Sequence, residues 1–313
     1  MSQYSLVMVH NPFCQDIGDF ETIASLVRSN HSQIEVFIVE NDSIASVTRK
    51  QAAKKPSLIF SPGELGLFTP RRGKILAGRP IPKIEQMERM RAASVSTPDF
   101  DILGPEGYVD ASRFGPVVII KSGAKFTSHG KNVFLVKSHA VPELIRSRGD
   151  EWAEGAPWII QKFIKPAGGT HNYRILNLLG ENLLAYCKRT SAQNGPLEDY
   201  DDLMTGYAHQ AKRKHGSVET SFIDDADVLA TASSVNAAFP DIPLRGCDII
   251  REQGTGKCYI LEVNPGGNTW IFSKPGASER MKKQLRVQDL AGPQGSFMKA
   301  AETLAKATYQ YAE

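Results

Sequence analysis

Cysteine, net charge and long apolar runs are all scarce in this sequence, and each scarcity removes a class of protein. The 313 residues hold four cysteines, Cys14, Cys187, Cys247 and Cys258. No two of them have metal-site spacing, so each reads as a small buried residue in a reducing, cytoplasmic setting. The 37 Lys and Arg against 34 Asp and Glu leave a formal charge of only +3. That balance points to no nucleic-acid or membrane partner, although local basic pockets for phosphates stay compatible with it. No apolar stretch approaches the roughly 20 residues that cross a bilayer. The opening MSQYSLVMVHNPF lacks the basic-then-apolar order of a secretory signal. Internal repeats and low-complexity tracts are also missing. What remains is 41% hydrophobic and 23% charged, which is ordinary for a globular chain of two or three domains.

The first 80 residues alternate in character. Residues 5–9, 34–40 and 57–63 are apolar runs that read as strands. Residues 16–29 show helical spacing through Phe20, Ile23, Ala24 and Val27, and a second helix runs from Asp42 or Ser43 toward Lys54. Strand–helix–strand–helix–strand predicts a small, mostly parallel α/β domain. Ligands sit at the carboxyl ends of such strands, which makes His10, Asn11 and the turn after Ser61 candidate acceptor positions. Residues 68–82 are rich in Gly, Pro and Arg and read as a linker. Residues 83–93 form a helix that opens on Lys83, a cation at an unfavourable helix end that a bound phosphate would make favourable.

Four further segments bear chemistry. FGPVVIIK, residues 114–121, is an apolar strand ending in Lys121. SGAKFTSHGK after it is a Gly-bearing loop whose amides could fold over phosphates, and NVFLVKS follows as a strand. WIIQKFIK, residues 158–165, is a strand with Gln161 and Lys162 at its centre. Residues 171–190 form a hairpin around Gly180, with Arg174 and Arg189 expected on one face, where they would need anions. Residues 191–221 read as a polar loop that could act as a lid.

The last segment is LRGCDIIREQGTGKCYILEVNPGGNTW, residues 244–270. It reads as two strands joined by a Gly-rich turn. Glu262 and Asn264 share a face because strand side chains alternate, and Asp248 joins them if the strands pair. Two carboxylates and an amide oxygen suit Mg²⁺ held together with phosphates. On these residues alone, a solvated polar hairpin face is an equal reading. Two amphipathic helices, 224–239 before this segment and 296–311 after it, complete the chain.

The order of these segments resembles the ATP-grasp superfamily, in particular its carboxylate–amine ligases such as ribosomal-protein glutamate ligases and glutathione synthetase-like enzymes. The most specific part is ILEVNP after an Asp-bearing strand. The resemblance implies an α/β fold with α+β lobes: an N-terminal domain in 1–80, a central lobe in 81–160, and a C-terminal lobe with the metal site in 161–313. The nucleotide would lie between the two lobes. By the same resemblance Lys83 and Lys121 touch nucleotide phosphates. Residues 122–131, with Ser128, His129 and Gly130, cover them, and Gln161, Lys162, Phe163 and Ile164 form the adenine hinge. Many members have Glu where Gln161 stands, which alters the base contact. Asp248, Glu262 and Asn264 resemble the ligands of Mg²⁺, with Mn²⁺ as a substitute, and Arg174 and Arg189 the arginines that contact the phosphoryl group.

The implied activity is an ATP-dependent ligase joining a small-molecule or peptide carboxylate to an amine through an acyl phosphate, with release of ADP and phosphate. A phosphotransferase with a hydroxyl acceptor and a non-catalytic nucleotide-binding protein stay open beside it, as does a homodimer. The PGGNTW turn after Asn264 departs from the Ser-Pro-Gly type common in the peptide-forming members and is expected to help choose the substrate.

Overall fold

The computed structural model describes residues 2–44, 46–123, 133–147, 157–167, 171–190, 203–205 and 218–313. Three sheets follow one another along the chain. The first contains β1 (Tyr4–His10), β2 (Ile34–Glu40), β3 (Ser57–Ser61) and β4 (Lys74–Ala77), all parallel, in the order β2-β1-β3-β4. Its strands are apolar on both faces because helices cover both. Leu6, Met8, Leu58 and Phe60 pack toward α1 (Ile17–Asn30), while Val7, Val9 and Ile59 belong to a separate cluster on the side of α2 (Ser46–Ala52). Asp16 caps α1 by accepting from the Gly18 amide. The segment read as a linker thus contains an edge strand. Lys74 and Ile75 are exposed on it, and four residues between Gly73 and Gly78 carry too little alternation to be recognised.

The middle sheet is antiparallel, ordered β11-β7-β6-β8-β5. Its members are β5 (Phe100–Ile102), β6 (Val117–Ser122), β7 (Val133–Lys137), β8 (Trp158–Lys162) and β11 (Leu203–Thr205). One face buries Val118, Ile120, Phe134, Trp158 and Ile160 together with Phe114 of α4 (Ala111–Phe114) and Val141 and Leu144 of α5 (Val141–Ser147). The other face carries Ile119, Lys121, Ile159 and Gln161, as the pairing of β6 with β8 requires. The expected division at residue 160 therefore falls inside β8, whose pairing keeps it in the middle sheet.

The third sheet is ordered β12-β10-β9-β13-β14 and is also antiparallel. It comprises β9 (His171–Leu178), β10 (Glu181–Thr190), β12 (Val218–Phe222), β13 (Leu244–Arg251) and β14 (Cys258–Pro265). Both expected hairpins form. Part of the segment taken as a lid is regular instead, since β11 and β12 lie within it. One face of this sheet packs Ile175, Cys187, Cys247 and Ile249 against α6 (Ala226–Ala238) and against Met87 and Met90 of α3 (Lys83–Ala92). Thus α3 precedes the middle sheet in sequence but packs on the third.

The other face of the third sheet is split. Leu176, Leu178, Leu184 and Tyr186 join a large cluster with α8 (Ser296–Tyr311), α1 and the first sheet. Trp270 is fully buried in that cluster, with its ring 5.5 Å from Phe20 and stacked on Phe297. The remainder of this face is polar. The helix α7 (Ala277–Leu285), which like α4 was not foreseen from the sequence, follows the Trp270 segment.

Candidate functional site

Strand register assembles the polar part of that face. Asp248 pairs with Glu262 on one side and with Arg174 on the other, and Gly246 pairs with Asn264. Directly opposed residues share a face, so Arg174, Asp248, Glu262 and Asn264 project together. The Arg174 guanidinium is bonded to Asp248 Oδ2, and Asn264 Nδ2 donates to the same oxygen at 3.1 Å. Burial works against the charge on Arg174, but Asp248 beside it prevails and holds the group above its ordinary pKa.

A bulge shapes β14. Asp248 opposes Glu262 while Ile249 opposes Ile260, so Leu261 is the extra residue. Ile260 is thereby kept in the α6-side core beside Ile249, while Glu262 stays on the polar face. The carbonyl of Leu261 accepts from Lys121 Nζ at 3.4 Å, which joins the middle sheet to the third across the cleft. Lys121 also donates to Gln161 Oε1 at 3.0 Å. It is 7% exposed, and burial lowers its pKa to about 8; Lys83 adds to that shift and Glu262 opposes it. Lys83, 5% exposed, opens α3 with its ammonium 3.7 Å from Glu262 Oε1. Gln86 fixes α3 there by accepting from the Val263 amide and donating to the Ile81 carbonyl.

Two buried lysines facing a pair of carboxylates suit a polyanion that brings its own cation. Among the described residues, no three His, Cys, Asp or Glu side chains gather as metal ligands. Asp248, Glu262 and the Asn264 amide are thus too few for an all-protein cage, but they match Mg²⁺, which keeps waters and phosphate oxygens as ligands. Asn264 spends its nitrogen on Asp248 and leaves Oδ1 as the acceptor a cation would take.

Arg189 does not join Arg174. Glu181 pairs with Leu178 and Asn182 with Asn177, but Leu184 pairs with Leu176, so Leu183 is an extra residue in the hairpin. Without it, Arg189 would lie on the Arg174 face. With it, Arg174 opposes Tyr186, and Arg189, three residues on, falls on the opposite face and bonds the Cys187 thiol. Lys188 takes the place on the Arg174 face, with its ammonium 5.6 Å from the Tyr186 ring centroid. Nothing in the sequence marks the bulge, so Lys188 could not be found without the register. Of the remaining candidates, Lys162 is exposed, and Phe163 and Ile164 follow β8 with Ile164 4% exposed. Ser128, His129 and Gly130 lie outside the described residues.

The turn after Asn264 abuts the first sheet at the carboxyl ends of its strands. Gln15 accepts from the Asn11 amide and donates to the Gly267 carbonyl at 3.1 Å, and the Cys14 thiol lies 3.6 Å from Asn268 Oδ1. The approach is close enough to require glycine. A Cβ on Gly78 would lie 2.1 Å from the Pro62 carbonyl oxygen and 2.7 Å from Gly266 Cα, and one on Gly267 would meet Gln15 Nε2 at 2.9 Å. The close approach therefore explains Gly78, whereas Gly266 has open space for a Cβ and is held to glycine by its φ of +102°. Beside this turn, Arg174, Tyr186, Gly246, Thr269 and Lys274 line a cavity of about 90 Å³.

Three sheets in this order, with the charged cleft between the second and third, define the ATP-grasp fold. Among solved structures, the chain is similar to the ATP-grasp ligase PsnB. The PsnB complex with a minimal precursor, Mg and ADP shows a TM-score of 0.53 at 13% identity, over 96% of this chain and 97% of that one. The complex with the minimal precursor gives 0.52 at 13% identity over 98% and 99%. The D-alanine–D-alanine ligase from Bacillus anthracis aligns over 98% of both chains at 14% identity with a TM-score of 0.48. No protein-family model and no curated protein sequence matches the chain.

Proposed function

We propose that this protein is an ATP-dependent carboxylate–amine ligase that works through an acyl phosphate and releases ADP and phosphate. The observation that carries the reading is the convergence of Lys83, Lys121, Arg174, Asp248, Glu262 and Asn264 at one cleft. The likeness to the ATP-grasp ligase PsnB, whose structure is a complex with minimal precursor, Mg and ADP, supports the same class.

In this reading Lys83 and Lys121 bind the triphosphate, and residues 161–164 hold the base. Mg²⁺, held by Asp248, Glu262 and Asn264, would neutralise charge on the phosphate oxygens. A carboxylate oxygen of the substrate attacks the γ-phosphorus, and the bond from that phosphorus to the bridging oxygen breaks to give ADP. The amine then attacks the acyl carbon and phosphate leaves. No side-chain nucleophile is required, because positioning and charge neutralisation supply the rate. Arg174 and Lys188 offset negative charge on the transferred phosphoryl and on the tetrahedral oxyanion. The cavity beside Arg174 and Tyr186 would receive the carboxylate partner.

A screen of ADP release over amino acids, small peptides and other carboxylates, with and without amines, tests this reading, with mass spectrometry identifying products. ADP formation that needs both partners and yields their dehydrated conjugate is the expected result. A stable phosphorylated product formed without an amine would make the protein a phosphotransferase. Binding of ATP without ADP from any mixture would remove the enzymatic reading.

A further inference from the structure

Gln161 is 3% exposed, and its amide is only half satisfied. Oε1 accepts from the Lys121 ammonium at 3.0 Å, while Nε2 is buried with no hydrogen-bond partner among the described residues. An ammonium can only donate, so Lys121 fixes which way the amide faces. The carbonyl points to the lysine and the NH₂ points away from it. A buried donor left unpaired keeps an unrecovered desolvation cost, which a ligand acceptor would return.

Register places this donor in the cleft. Gln161, Lys121, Ile119 and Ile159 share the face of the middle sheet from which Lys121 reaches the Leu261 carbonyl of the third sheet. The neighbouring Lys162 amide is already spent on the Asp99 carbonyl at 2.8 Å. The Lys121–Gln161 pair therefore offers donors, and its acceptor Oε1 is occupied.

We infer that this chain recognises the purine through hydrogen-bond acceptors on its Hoogsteen edge, and so takes 6-oxopurine triphosphates at least as well as ATP. The inference rests on the nucleotide-binding part of the function proposed above. Guanine and hypoxanthine present two acceptors there, N7 and O6, whereas adenine presents N7 and the 6-amino donor. A glutamate at position 161 would offer the base an acceptor and favour adenine. Glutamine held by Lys121 offers the opposite polarity.

Calorimetric titration of the full-length protein with the Mg²⁺ complexes of ATP, ITP and GTP, without other substrates, tests this. Wild type is expected to bind ITP and GTP as tightly as ATP or more tightly. Q161E is expected to shift the ITP-to-ATP Kd ratio about tenfold toward ATP, the equivalent of 1.4 kcal/mol. Q161M, which offers neither polarity, should fall between. Wild type that binds ATP more than threefold tighter than ITP overturns the inference whatever the variants do. A ratio unchanged between wild type and Q161E overturns it too. Failure of every nucleotide to bind would overturn the nucleotide site and this inference together. Base-selective binding without ligase activity would leave this inference standing while the ligase reading falls.

Discussion

Two seams hold the three sheets together, and they are built from different materials. Between the first and third sheets lie Trp270, Phe20, Phe272 and Phe297, and glycines that let backbones touch. Even the polar contacts there are closed, since the Trp270 indole and the Ser273 hydroxyl both donate to Asp19. Between the middle and third sheets lie buried ammonium groups, carboxylates and an unpaired amide. Apolar contact holds two bodies without any ligand. Buried charge recovers its desolvation cost only when partners arrive. The first seam is thus complete in itself, and the second would be completed by the substrates of the proposed function.

The sharpest test of that contrast is Glu262→Gln. It should lower ADP release by about a thousandfold or more while the thermal midpoint moves little, because charge is lost but shape is kept. Normal turnover would remove Glu262 from the site. Trp270→Ala should do the reverse. Urea titration should show a loss of about 3–5 kcal/mol, as for other large aromatic truncations in a core. Loss of activity at unchanged stability would show that the aromatic seam is part of the chemistry.

The two arginines of the hairpin come next. Arg174→Ala is expected to cost about a hundredfold in kcat/KM and Arg189→Ala less than about threefold. Equal losses would contradict the bulge at Leu183. A smaller effect is read from pH. Burial lowers the Lys121 pKa to about 8, so its charge is present below that value and is lost as pH rises through it. Nucleotide affinity should fall by up to about tenfold per pH unit above 8, and Lys121→Met should flatten the profile.

The smallest effect belongs to His10, 3% exposed with neither ring nitrogen bonded among the described residues. Burial lowers its pKa, although Glu40 and Asp16 oppose the shift. A lowered histidine stays neutral in the folded state, so stability is full above pH 6.5 and declines as pH falls through the folded value. The loss should be absent in His10→Gln, measured by urea titration at pH 7.5 and 5.

Much of this arrangement was legible in the sequence because alternation is. The first sheet followed from apolar runs separated by helical spacing, and the grouping of Glu262 and Asn264 with Asp248 followed from strand parity. Lys83 and Lys121 came through resemblance, since no periodicity ties a helix start to a strand end 38 residues later. Arg189 was misplaced because its face depends on an extra residue that no composition marks. The approach of the PGGNTW turn to Pro62, Gly63 and Gly78 was not legible, because those residues are distant in sequence. β4 was missed because an edge strand of four residues is defined by its neighbour, not by its own pattern.

The bulge at Leu261 has a consequence for how such a chain can change over generations. Loss of the single codon for Leu261 would leave Glu262 opposite Asp248 and Ile260 opposite Ile249, so the strand could shed its extra residue and lose only the carbonyl that accepts from Lys121. Loss of the codon for Val263 would instead draw Asn264 to the place opposite Cys247, in the α6-side core, and take its amide off the polar face. Natural length variation should therefore collect at the bulge and beyond the strand's ends, at residues 252–257 and after Trp270, while Glu262 to Asn264 varies by substitution alone.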